Sequence, residues 1–154
     1  MIAGLPSALF SIALILQAAC SIGLAGIAWY RLLVQLPLLR RVDARRLPRY
    51  VRPMETLEQF VIGPILLVES LSALMLPLAL PDAIPLSYPV VGLALLALIW
   101  VLQIVIARRH LRVLAHGFSA RAMRRVLCAA WGQTAAWTFR AVLILFIILL
   151  AMRM

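Results

Sequence analysis

Lysine is missing from this chain. All 15 basic residues are arginine, and only 5 acidic residues offset them, for a net charge of +10. Cysteine is scarce: Cys20 and Cys128 form no CxxC pair, and they fall at different depths along the apolar runs described below. With that separation no disulfide between them is expected, and both read as small buried residues. Histidine is equally scarce. His110 and His116 do not share a helical face, whereas a haem ligand pair would come from facing helices inside a bundle. They read as interfacial histidines among arginines. There is no HExxH, no GxSxG and no glycine-rich phosphate loop. No metal site is expected, and no motif implies a cofactor.

What the chain has in plenty is apolar length. Of its 154 residues, 66% are hydrophobic, and the mean hydropathy is +1.07. A soluble domain is nearer half apolar. Four runs long enough to cross a bilayer lie at approximately residues 7–30, 57–80, 89–107 and 127–151. Little remains for a soluble domain, so residues 1–154 read as a single polytopic membrane domain. The expected fold is all-α, an antiparallel four-helix transmembrane bundle.

The arginines cluster at span ends. RRVDARRLPRYVR (40–52) follows the first span, and RRHLRVLAHGFSARAMRR (108–125) follows the third. The link PDAIPLSYP (81–89) between the second and third spans has none. The positive-inside rule then places both arginine loops in the cytoplasm and both termini outside. In a soluble protein this charge would suggest nucleic acid. Arginines at membrane boundaries instead fix topology and meet anionic lipid headgroups, so no nucleic-acid partner is expected. Exclusive use of arginine fits a GC-rich bacterial genome, and the expected location is the bacterial inner membrane. No basic residue precedes the first apolar run, so that run is not read as a signal peptide.

Local signals refine the spans. The first is rich in small residues, among them Ala19, Gly23 and Gly26, which let helix backbones approach closely in lipid. Trp29 and Tyr30 mark an interface, and Arg31 can snorkel to the headgroups. The helix is expected to bend or end near Pro37. The second span is expected to begin just after Pro53, with Glu55 and Glu58 in its first turns. Pro77, Pro81, Pro85 and Pro89 punctuate the outer link. Gly117 is expected to cap the third helix, and Ser119 a short helix after it.

The polar residues inside the spans carry the functional question. Glu69 lies in GPILLVESLSAL, an otherwise apolar stretch. It is 14 residues beyond Glu55, and Arg140 is 14 beyond Val126. Both therefore lie about 20 Å from the cytoplasmic end of their helices, near mid-membrane. Lone charges there are costly, so Glu69 is expected to pair with Arg140. Gln17 reaches the same level on the first span. Helical spacing aligns Gln17, Ser21, Arg31 and Gln35; Glu58, Glu69 and Ser72; Gln103 and His110; and Gln133, Trp137 and Arg140. These stripes should turn inward. The candidate cluster is Glu69, Arg140, Gln17, Gln103, Gln133 and Trp137, either a polar pocket or a structural lock. Glu58, Arg31 and His110 are candidates at the cytoplasmic edge.

LQIVIARRHLRVLAHGF and the Trp131, Thr134, Trp137, Arg140 pattern resemble small four-span bacterial membrane proteins, as does PILLVES with Glu69. That family carries no established activity. More distantly, the layout is similar to anthrone-oxygenase-type membrane proteins, which tend to carry a histidine in the fourth span. This chain has none there, which weighs against an oxygenase.

Three functions remain open. The first is a non-catalytic protein, either an accessory subunit of a larger membrane complex or a binder of a lipophilic ligand. The second is a membrane oxidoreductase or oxygenase for an aromatic or quinone-like substrate, using Glu69, Gln17 and His110 for protons. The third is a small proton-coupled transporter, against which pairing by Arg140 weighs by holding Glu69 ionised. Expected partners are the bilayer, anionic headgroups at the arginine loops, and a larger complex or a homo-oligomer.

Overall fold

The computed structural model describes residues 5–43, 45–78, 84–116 and 119–153. Among them every regular element is helical, and four helices are long and apolar enough to cross a membrane. The first, α1, is α-helical over Leu5–Tyr30 and continues through a π-turn at Arg31–Gln35 into Leu36–Arg41. The second, α2, covers Leu47–Met75 and closes in a 3-10 turn at Leu76–Leu78. The third, α3, covers Ser87–Val101, a π-turn at Leu102–Ala107, and Arg108–Leu114. The fourth, α4, runs Ala120–Ala151.

The helices overshoot the apolar runs. The 32 residues of α4 span about 48 Å at 1.5 Å per residue, against a hydrocarbon core of about 30 Å. Three local expectations need correction. Pro37 does not end α1: the Leu36 N–H donates to the Arg31 carbonyl, an i to i−5 bond. The π-turn thus shifts the ladder just before the residue with no N–H to give. Pro53 does not mark the start of α2, which begins at Leu47 with Pro48 in its first turn and holds Pro53 and Pro64 internally. A proline in the first turn costs nothing, and membrane helices tolerate internal prolines where neighbours satisfy the freed groups. Glu58 therefore lies well inside α2, beyond the reach of its N-terminal dipole. Ser119 caps α4 itself, its Oγ accepting from the Ala122 N–H at 3.3 Å, with no short helix between. The expected cap at Gly117 and the proline at 81 lie outside the described residues.

Buried apolar side chains form three layers. At one end Leu32, Leu36, Leu47, Leu114 and Met123 pack together. In the middle are Leu24, Leu66, Leu96, Ala136 and Trp137. At the far end are Phe10, Leu14, Leu76, Ile84 and Ile147. Each helix passes through these layers in the order opposite to its predecessor, so successive helices are antiparallel. Both arginine segments flank the first layer. The outer surface is apolar, with Ile15, Leu57, Phe60, Leu67 and Phe139 all exposed. That inversion suits hydrocarbon as the surrounding medium. The cysteines are less buried than expected: Cys20 is half-buried and Cys128 exposed. A thiol is a small hydrophobe and is at ease on such a surface.

Candidate functional site

The most enclosed polar contacts lie at the level of Glu69. Arg140 Nε donates to Glu69 Oε1, and Ser21 Oγ donates to the same oxygen at 3.2 Å. Arg140 Nη1 donates to the carbonyl oxygen of Gly92. One guanidinium and one carboxylate thereby join all four helices. Glu69 is 0% exposed and Arg140 1%. Taking either charge alone into such a site costs several kcal/mol; together, with hydrogen bonds on both, they offset most of that.

Gly92 matters because of what it lacks. A Cβ there would sit 3.4 Å from Arg140 Nη1 and 3.7 Å from Leu143 Cδ2. A methyl there would make ordinary contact, whereas a larger side chain would take the space of the guanidinium at the α3 carbonyl. Gln17, one turn before Ser21, is buried and lines a void of about 10 Å³ with Gly92 and Arg140. That is near the lower limit for one water. Gln17 Oε1, Glu69 Oε2 and Arg140 Nη2 are buried without a hydrogen-bond partner among the described residues.

The remaining candidates fall on two further levels, nearer the arginine end. Gln133 Nε2 donates to Gln103 Oε1 at 2.6 Å, tying α4 to α3. Closer to that end, Glu58 accepts from Gln35 Nε2 at 2.5 Å and pairs with Arg31 Nη2 at 3.2 Å. This last group is partly exposed. Both π-turns supply these contacts: Gln103 lies in one, Arg31 and Gln35 in the other. A π-turn rotates the following residues relative to an unbroken α-helix, so it re-aims a polar face.

A cavity of about 40 Å³ separates the levels, lined by Leu24, Arg31, Leu66, Gln103, Gln133 and Trp137 among others. All four helices contribute to its wall. It has room for about one water; an apolar cavity that takes benzene is about 150 Å³. His110 is not part of this interior. It lines an outer groove between α3 and α4, away from Arg31 and Glu58. No cluster of three His, Cys, Asp or Glu side chains able to hold a metal occurs among the described residues.

Two contributors were not marked as candidates by sequence. Ser21 had a signal, one turn from Gln17 on the polar stripe of α1. The Gly92 carbonyl had none, since a main-chain acceptor leaves no trace in residue type. Thr134, also buried, bonds its Oγ1 to the Ala130 carbonyl at 2.8 Å with the Ala28 carbonyl at 3.4 Å, and so joins α4 to α1.

The glutamine pair gives a direct test of its role. Gln133→Leu is expected to lower stability by about 1–2 kcal/mol, because it strands the Gln103 amide. Gln103→Leu with Gln133→Leu should recover most of that loss in chemical unfolding in detergent. A double variant worse than either single would mean that the pair serves a polar ligand or water. Comparison with protein families, with curated proteins and with solved structures finds no match to this chain.

Proposed function

We propose that this protein is a non-catalytic accessory subunit of a larger membrane complex in the bacterial inner membrane. The observation that carries the reading is how little room the interior leaves. Glu69 is fully enclosed by Arg140 and Ser21, and the cavity beside this level measures about 40 Å³. An aromatic or quinone-like substrate needs several times that volume. The same enclosure weighs against proton exchange through Glu69, and against a lipophilic ligand held inside the bundle.

The outer face of α1 supports a docking role. Ala19, Gly23 and Gly26 are exposed in one small-residue row. Side chains built at Gly23 or Gly26 would meet no atom within 4 Å. Small residues at this spacing let a second helix approach backbone to backbone, where contact and not hydrophobicity drives association in lipid. The partner on this reading is a membrane helix of another subunit.

Gentle purification and mass measurement test this. A stoichiometric larger complex is expected, released by Gly23→Leu with Gly26→Leu while the melting temperature stays within about 3 °C. That small shift corresponds to about 1 kcal/mol in a chain of this size. A visible-absorbing cofactor bound to the chain alone would overturn the reading.

Orientation is tested separately. Both arginine segments belong in the cytoplasm and both termini outside. In a cysteine-free background, Asp43→Cys should react with a membrane-impermeant maleimide only after the cell is opened. Arg153→Cys should react in spheroplasts. The reverse pattern would invert the topology.

A further inference from the structure

We propose that the groove between α3 and α4 at the arginine end is a specific binding site for one anionic phospholipid. The groove is an open recess of about 740 Å³. The α3 wall is Leu102, Val105, Ile106, Arg109 and His110; the α4 wall is Arg121, Arg125, Cys128 and Ala129. The two walls are graded in the same direction. On α3 the residues pass from apolar Leu102 to cationic Arg109 in seven positions, about 10 Å of helix. On α4 they pass from Arg121 and Arg125 to Cys128 and Ala129. Antiparallel packing sets the apolar parts side by side, and the cationic parts side by side at the helix ends.

This is the polarity of a phospholipid lying against the protein. Its phosphate meets Arg109, Arg121 and Arg125, and its acyl chain follows Leu102, Val105 and Ile106. Charge complementarity selects the anionic class. Among the described side chains, Arg31 pairs with Glu58 and Arg140 with Glu69, and neither pair uses these three arginines. All three are exposed, so their guanidinium groups are free to grip phosphate oxygens in paired hydrogen bonds. Basic recesses between membrane helices at the headgroup level bind anionic lipid headgroups.

The α3 π-turn shapes the wall. Leu102 opens that turn, and its Cδ1 lies 3.1 Å from where a Cβ would stand on Gly132 of α4. The helices thus touch closely at the deep end of the groove, and Val105, Ile106 and Arg109 form the wall beyond. Docking of a protein partner through α1 plays no part in this site. The proposal rests only on the arginine end lying at the headgroup level.

The test is native mass spectrometry of the full chain in detergent, titrated with phosphatidylglycerol, phosphatidylcholine or glycerol phosphate. One phosphatidylglycerol is expected to be retained per chain, and phosphatidylcholine at least tenfold more weakly. Arg109→Gln, Arg121→Gln and Arg125→Gln together should weaken phosphatidylglycerol about a hundredfold, taking about fivefold per arginine. An equal charge loss at exposed arginines that line no part of the groove, Arg45→Gln with Arg49→Gln and Arg52→Gln, should change it less than threefold. Circular dichroism of both triple variants confirms helicity; if the groove variant unfolds, the Arg→Lys versions of the same three positions replace it, with a tenfold loss expected. Equal loss in both variants would reduce the effect to diffuse charge and overturn the proposal. Binding of glycerol phosphate as tight as phosphatidylglycerol would make the groove a free-anion site and overturn it as well.

Discussion

Arg140→Leu is expected to destabilise the bundle by about 3–5 kcal/mol, the range for stripping one partner from a buried ion pair. At about 2–4 °C per kcal/mol for a chain of this length, the melting temperature in detergent should fall by about 6–20 °C. The size follows from what is left behind. Glu69 is fully buried, and with Arg140 gone its nearest remaining donor is the Ser21 hydroxyl at 3.2 Å. One neutral hydrogen bond does not offset an ionised carboxylate in hydrocarbon. A loss below 1 kcal/mol would show that Glu69 does not depend on Arg140 for its burial.

Gly92 should behave as a size gauge for the same site. Gly92→Ala places a methyl at ordinary contact distance, 3.4 Å from Arg140 Nη1. The helix gains about 1 kcal/mol of propensity from the change, so the net effect should be within about 1 kcal/mol of zero. Gly92→Leu cannot be housed in this way. Its side chain takes the space of the guanidinium and abuts Leu143, and forced overpacking costs about 1–3 kcal/mol before the ion pair is disturbed. The full loss should approach that of Arg140→Leu. A melting temperature that falls steadily through Ala, Val and Leu at this position is the expected series. No difference between Ala and Leu would mean that Arg140 does not bond to α3.

Much of this arrangement was legible because lipid simplifies the problem. A residue such as Glu69 in an apolar run has one physical option, to face inward toward a partner, and equal helical depth pointed to Arg140. The pattern Trp131, Thr134, Trp137, Arg140 is less transparent. Steps of three on a helix of 3.6 residues per turn drift around the axis, so its first and last members take opposite faces. Trp131 is exposed and stacks edge-on against Trp29 at 6.4 Å, while Arg140 is buried.

What was not legible came from the main chain. Two π-turns change the helical phase toward the arginine end and so re-aim the residues that follow them, while the separation into polar levels follows only from distance along each helix. Pro37 is a cue for the first π-turn; nothing in LQIVIA announces the second. Helix ends were set too tightly because hydropathy marks the hydrocarbon boundary, whereas hydrogen bonding continues past it into the headgroup region. His110 shared a spacing with Gln103, but the intervening π-turn puts it on the outer groove.

The central claim is that the mid-membrane set is architecture, a lock joining four helices. A double-mutant cycle on Glu69→Gln and Arg140→Gln, read by chemical unfolding in one detergent, tests it most directly. The account predicts that each single replacement is destabilising. It also predicts a double variant more stable than the sum of the two losses implies, by about 2 kcal/mol or more, that still captures its partner complex. Losses that add to within about 0.5 kcal/mol would contradict the coupling. A double variant that folds normally but loses its partner or any associated activity would contradict the architectural role.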